Sequence, residues 1–206
     1  MKKIKNALIS VYDKKNLYLL LKNLVKYKIQ IISSGGTFKE IRKLGFKCLE
    51  VSKYTDFPEI LDGRVKTLHP KIHAGILSKR NNNSHLKDLK KNNFEEIDLV
   101  VVNFYPFEKT LKSTNNHNKI IENIDVGGPA MVRAAAKNYN DVTVITKSEQ
   151  YYKLIEELNN NNGSTSLDYR QKMSEEAFAE TAYYDALIAN YFNNKSINLF
   201  PNKKLI

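Results

Sequence analysis

Within ten residues this sequence places Arg64, Lys66, Thr67, His69, Lys71 and His73. These side chains carry positive charge, donate hydrogen bonds or move protons, so together they suit an anionic ligand and proton transfer. The turn dipeptide Asp62-Gly63 opens the run and Pro70 interrupts it. Val65 and Leu68 do not extend into a helical or strand period. The stretch Asp62 to Leu77 therefore reads as an ordered loop pegged by its own apolar residues, with cations and hydroxyls free. Such loops carry function more often than core segments do, although a solvated basic loop explains the same residues. His69 and His73 do not predict a metal site, because their spacing crosses Pro70 and no third ligand stands near them.

Two further segments carry chemistry. In Ser34-Gly35-Gly36-Thr37 the glycines let backbone approach a ligand, and free amides at a helix start attract an anion. The segment is neither a Walker loop nor the three-glycine dinucleotide fingerprint, and a turn with a cap explains it equally well on its own. With Lys14, Arg64, Lys66 and Thr67 added, a single phosphate ester becomes the better account. The segment Asp125 to Lys137 puts a carboxylate just ahead of a helix that carries Arg133 and Lys137 one turn apart. Asp125 reads either as a helix cap or as a proton acceptor. Lys137 reads as a cation facing developing negative charge.

The elements that must hold these groups alternate. Ala7–Val11, Gln30–Ser33, Lys47–Val51, Ile97–Asn103 and Val142–Ile145 read as strands; the continuous β-branched run before Asn103 suits a parallel strand covered on both faces. Helices are expected after Asp13 (which would cap the first), over Phe38–Leu44, His85–Lys91 and Asn118–Asn123, from Gly127 through Lys137, and over Tyr151–Leu158 and Asp168–Phe192. A flexible run, Asn159–Ser164, separates the last two. This order predicts an α/β fold of three layers with a mostly parallel sheet of about five strands. Residues 1–146 form the expected core and residues 147–206 C-terminal helices that complete it. Ligands in such folds gather at the carboxyl ends of strands, where Ser10, Ser33, Ser34 and Asn103 stand.

Composition narrows the function. The chain has 206 residues, one cysteine and a formal net charge of +11. A lone Cys48 excludes a disulfide framework and points to a reducing cytoplasm. No segment is long and apolar enough to span a membrane. The charge invites a nucleic-acid reading, but the lysines are dispersed among asparagines and aromatics do not interleave with them, so nucleic acid is not expected as a partner.

The segments Ile9-Ser-Val-Tyr-Asp-Lys14, Ser34-Gly-Gly-Thr37, Gly63-Arg-Val-Lys-Thr-Leu-His-Pro70, Asn103-Phe-Tyr-Pro-Phe107, Asp125-Val-Gly-Gly and Arg133-Ala-Ala-Ala-Lys-Asn138 together resemble the inosine monophosphate (IMP) cyclohydrolase domain of the bifunctional purine-biosynthesis enzymes. The resemblance implies a methylglyoxal-synthase-like fold and ring closure of 5-formamidoimidazole-4-carboxamide ribotide to IMP and water. It implies Lys66, Tyr105, Asp125 and Lys137 as catalytic residues. It also implies a nucleotide held by Ser10, Tyr12, Lys14, Ser34, Gly35, Gly36, Thr37, Arg64, Val65, Thr67, Asn103, Val126 and Gly127. Tyr12 departs from the small serine common at that place. A homodimer is implied, and no cofactor for ring closure; 10-formyltetrahydrofolate would serve only a formyltransferase domain. The opening of that domain, resembling Tyr-Gly-x-Asn-Pro-His, is not found before Ile206, so the chain is expected to be a cut-out domain or a stand-alone cyclohydrolase. The same fold also serves methylglyoxal-synthase-type lyases and nucleotide-binding regulatory modules, which remain the alternatives.

Overall fold

The computed structural model describes residues 1–193. Ala7, Leu8 and Ile9 are consecutive and all fully buried. Successive strand side chains point to opposite faces, so both faces of the strand that carries them are covered. This strand, β2 (Asn6–Val11), is central to a five-stranded sheet whose every pairing is parallel. In sequence it follows a two-residue strand β1 (Lys2–Lys3). The remaining strands of the sheet are β3 (Gln30–Ser33), β4 (Leu49–Glu50), β5 (Leu99–Asn103) and β6 (Thr143–Ile145), in the order β4-β3-β2-β5-β6. Leu8 stands opposite Ile32 on one side and Val100 on the other. β2 feeds strands to its left and its right, so the chain reverses its winding there. That reversal opens a crevice at the carboxyl ends of β2, β3 and β5.

The helices are α1 (Leu17–Lys26), α2 (Gly35–Lys43), α3 (Val51–Thr55), α4 (Pro70–Leu77), α5 (Asn83–Lys91), α6 (Phe107–Ser113), α7 (His117–Glu122), α8 (Gly127–Lys137), α9 (Tyr151–Asn160) and α10 (Leu167–Asn193). In α1 Leu17, Leu20, Leu21 and Leu24 are buried at helical spacing while Tyr18 and Val25 face out. The small residues Ala134, Ala135 and Ala136 let α8 lie close on β5 and β6, and α4 and α10 pack on α8 in turn. Phe107, Ile120 and Tyr184 form a second, smaller core under α6 and α7. Among the described residues no helix is long and apolar enough to cross a membrane.

Several local expectations are corrected. Half of the presumed basic loop is helix: Pro70 is the first residue of α4, where its missing N–H is harmless, and the His69 side chain accepts from the Lys71 amide at 3.1 Å. Leu68 is no peg, being 39% exposed; the segment is held instead by an Ile60–Val65 bridge. Asp13 does not cap α1. Its carboxylate accepts from Lys15 N, and the cap position is taken by Asn16 in a left-handed conformation, φ 59°. The third strand shrinks to Leu49–Glu50 because Val51 turns into α3. The run Asn159–Ser164 finishes α9 and starts β7 (Ser164–Thr165), which pairs antiparallel with β1. The C-terminal helix α10 docks on the core, with Ser174 Oγ donating to the Ala136 carbonyl at 2.8 Å. The rest of the predicted C-terminal segment, residues 194–206, lies outside the described residues.

Candidate active site

The first turn of α2 is built by three locks. Ser33 Oγ donates to the Ile9 carbonyl at 2.6 Å, fixing the end of β3 to β2. Ser34, extended at φ −133°, turns the chain, and its carbonyl accepts from Phe38 N. Thr37 Oγ1 donates to the Val11 carbonyl at 2.9 Å and accepts from the Val11 amide at 3.0 Å. The expected turn Ser34–Thr37 is thus already helix from Gly35 onward. Gly35 sits at φ +54°, a conformation that strains any other residue, and the space beside Gly36 is open. The amides of Gly35, Gly36 and Thr37, in the first turn of α2, lack intrahelical partners by geometry. Thr37 contributes its amide there, since its hydroxyl is committed to Val11.

Lys66 reaches this turn. A Cβ built on Gly35 would lie 3.5 Å from Lys66 Nζ. Lys66 Nζ also contacts Glu59 Oε1 at 3.4 Å. Its neighbour Thr67 is 5% exposed, and its hydroxyl occupies the place where a side chain on Gly127 would go, 2.7 Å from the built Cβ. This contact seats the Lys66–Thr67 segment on the amino end of α8. There Asp125 accepts from the Gly128 amide at 2.8 Å, and its own amide donates to Tyr184 Oη at 2.8 Å. A Cβ on Gly128 would collide with the Asp125 carboxylate, so any larger residue there would push that carboxylate aside. Burial raises the Asp125 carboxyl above the ordinary carboxylate range, against the opposing pull of the Gly128 amide and the Lys66 charge. The cap reading of Asp125 is thus met by the Gly128 amide, and its second oxygen takes no part in that bond.

A second station lies beside the first. A cleft of about 800 Å³ is lined by Tyr12, Lys14, Asn103, Tyr105 and Lys147, with Tyr184 at its inner wall. The Asn103 side chain holds its rim, its oxygen accepting from the Tyr12 and Asp13 amides at 2.6 and 3.1 Å and its nitrogen donating to the Asp13 carbonyl at 2.9 Å. The Tyr12 and Tyr105 rings meet at a centroid distance of 5.1 Å, tilted by 54°, both about half exposed. Lys14 Nζ rests on the Tyr12 carbonyl, and Ser10 stands half-buried at the end of β2. The two stations are tied through Thr37 and Val11 on one side and through Tyr184 on the other. Burial pushes the Tyr184 phenol up to about 12, so it stays protonated.

Four candidates stand apart. Arg64 directs its guanidinium to Glu122 on α7, both exposed. Val65 is half-buried in its bridge to Ile60 and Val126 is 62% exposed ahead of α8. Lys137 ends α8, about 15 Å along the axis from Gly127, so within one chain it does not face Asp125. Glu59, Gly128 and Tyr184 belong to the site and were not singled out from sequence. Gly128 sits inside the Asp125-Val-Gly-Gly segment, where its spacing from Asp125 is a cap signal; Glu59 and Tyr184 meet their partners only through folding.

A family model described as MGS-like domain matches residues 16–130, and one described as AICARFT/IMPCHase bienzyme matches residues 135–205. The bifunctional purine biosynthesis protein PurH of Bradyrhizobium diazoefficiens is 46% identical over 194 residues, covering 94% of this chain and 37% of its own length. PurH of Clostridioides difficile is 48% identical over 198 residues, covering 96% and 38%. The chain thus spans a little over a third of the length of these curated relatives. The crystal structure of ForH superposes with a TM-score of 0.81 at 30% identity, over 92% of this chain and 99% of that one. With the strand order, the crevice at the reversal of winding and these matches in agreement, the chain belongs to the MGS-like domain family.

Proposed function

We propose that this chain is an IMP cyclohydrolase acting in purine biosynthesis: it closes the ring of 5-formamidoimidazole-4-carboxamide ribotide and releases water. The observation that carries the reading is the convergence of the α2 amides, the Lys66 ammonium and the half-buried Asp125 carboxylate beside an aromatic cleft. The amides of Gly35 to Thr37 would receive the ribose phosphate with Ser34, Thr67 and Lys14. Tyr12, Tyr105 and the rim held by Asn103 would take the base, with Ser10, Val65, Val126 and Gly127 as neighbouring wall. Arg64 would join the phosphate only by leaving Glu122.

In the reaction the carboxamide nitrogen adds to the formyl carbon. An amide nitrogen is a weak nucleophile, and a carboxylate whose affinity for protons burial has raised is a better-matched acceptor for the N–H proton. The formyl oxygen becomes an alkoxide, which Lys66 would stabilise; one well-placed donor is worth about 2.7–4 kcal/mol in such a role. That oxygen then leaves as water after taking up two protons, relayed by Tyr105: the carboxamide proton that Asp125 removed during addition, and the second N–H proton that the ring gives up as the C=N bond forms. Substrate is one molecule, so holding it folded is itself catalytic. Ring closure draws on no cofactor in this reading; 10-formyltetrahydrofolate would serve a formyltransferase domain.

We also propose a homodimer acting in the cytoplasm. Phe57, Leu61, Leu68 and Val126 are exposed apolar residues, which suits a self-association surface. Lys137 would act as the cation assigned to it only from a second protomer. Mixing Asp125→Asn with Lys137→Ala protein should then restore part of the activity that each lacks alone. The test of the function is a spectrophotometric ring-closure assay on the purified chain. Turnover of the formyl ribotide is expected, and a folded protein that binds IMP without closing the ring would overturn the reading.

A further inference from the structure

The segment between α3 and α4 is a tight hairpin. Ile60 N donates to the Val65 carbonyl at 3.1 Å and Val65 N to the Ile60 carbonyl at 3.3 Å. The connection runs through Leu61, Asp62 and Gly63 at φ 55°, 53° and 89°. Three successive left-handed residues, the first of them leucine, are an expensive way to turn a chain. The register explains what they secure. In an antiparallel pair the residues flanking a bridge stand opposite each other, so Ile60–Val65 places Glu59 directly across from Lys66. The two side chains meet at 3.4 Å. A Cβ on Gly63 would fall 2.4 Å from Glu59 Oε1 and 3.4 Å from Lys66 Nζ; the absent side chain is the space in which the carboxylate lies.

Lys66 needs such a partner. Its ammonium stands by Gly35 at the amino end of α2, where the helix dipole repels a cation. Without a counter-charge on its outer side, a four-carbon side chain that is about one-third exposed would swing to solvent. Asp125 faces it from α8 but is already engaged by the Gly128 amide.

We propose that Glu59 is a positioning residue: it holds the Lys66 ammonium across the hairpin, at the gap between the α2 amides and Asp125, so that Lys66 is in place when the oxyanion forms. The proposal deepens the ring-closure reading and rests on it for its kinetic consequence. Glu59 itself touches no reacting atom.

The experiment pairs kinetics with crystallography on Glu59→Gln, Lys66→Met and the double variant. Glu59→Gln should lower kcat by about tenfold to a hundredfold, the size expected when a catalytic group is misplaced, with KM and thermal midpoint little changed. In the Lys66→Met background the same change should add nothing, because its effect runs through Lys66. In crystals of Glu59→Gln, Lys66 Nζ should leave Gly35. Full turnover in Glu59→Gln, an additive double variant, or a Lys66 that stays in place each overturns the assignment. If the wild-type chain closes no ring, the functional reading fails, while the position of Lys66 in the two crystals still decides the role of Glu59.

Discussion

Charged groups sit at both ends of the sheet, closed in at one and open at the other. At the foot, Asp98 accepts from the Lys5 and Asn6 amides at 2.8 and 3.0 Å and lies 3.8 Å from the Arg80 guanidinium. Arg80 in turn donates to the Gly75 and Ile97 carbonyls, its amide donates to Asp141, and Asp141 takes Lys2 at 2.6 Å. Arg170 satisfies the Tyr139 and Asn140 carbonyls beside them. At the crown, Asp125 has one amide, and Lys66 has one long contact with Glu59. Burial raises the carboxyls of both Asp98 and Asp125. The direction of that shift therefore does not tell a structural carboxylate from a working one. What separates them is access: Asp98, 7% exposed, is closed off at the blind end of the strands, and half-buried Asp125 opens toward the crevice at the other.

The contrast can be broken most sharply at Asp125. Asp125→Asn keeps an oxygen for the Gly128 amide and removes the base, so ring-closure turnover should fall by roughly 10²–10⁴-fold without any fall in melting point. A melting point that collapses with activity would make Asp125 another structural carboxylate. At the foot, Asp98→Ala should do the reverse. It strands two amides and weakens the anchoring of Arg80, which should cost about 3–5 kcal/mol in a urea melt, with turnover per folded molecule unchanged. Lys14→Ala should sharpen the division within the crown. A phosphate contact is made equally in substrate and transition state, so KM should rise by roughly tenfold with kcat nearly intact.

The smallest effect is a pH dependence. The folded-state pKa of Asp125 is raised, so folding is penalised once the carboxyl ionises, and that penalty is complete above the raised value. Below the ordinary carboxylate pKa wild type and Asp125→Asn are both neutral there. The variant should therefore gain thermal stability relative to wild type as pH climbs through that window, and the gain should vanish in acid. A constant difference across the titration would mean that ionisation of Asp125 is not penalised by the fold.

The sequence reading was strongest where chemistry is local. Ala7–Val11 and the valines before Asn103 announce buried parallel strands because both faces must be apolar, and Gly127-Gly-Pro opens a helix on any reading. It failed where local signals competed. The basic residues around Pro70 drew the eye to a loop, although Pro at a first helical position argued for the start of α4. Asp13 looked like a cap because the backbone of Asn16 is invisible in a string of letters. Two-residue strands such as β1 and β7 have no period to detect. Within the site, Lys66, Asp125 and the glycine turn were legible from residue type and spacing. Glu59 and Tyr184 were not, since their roles come from a hairpin register and from a helix some sixty residues downstream of Asp125.

The pair of hydrogen bonds between the Thr37 hydroxyl and the Val11 backbone has a further consequence. It welds the amino end of α2 to the strand end from which the Tyr12 rim departs, so the interval between the α2 amides and the aromatic cleft is set by backbone rather than by mobile side chains. A crevice with a rigid span works as a caliper. On the proposed reading, a molecule that carries a planar group and a phosphate one ribose apart would meet both jaws at once, and a nucleoside would fill only one.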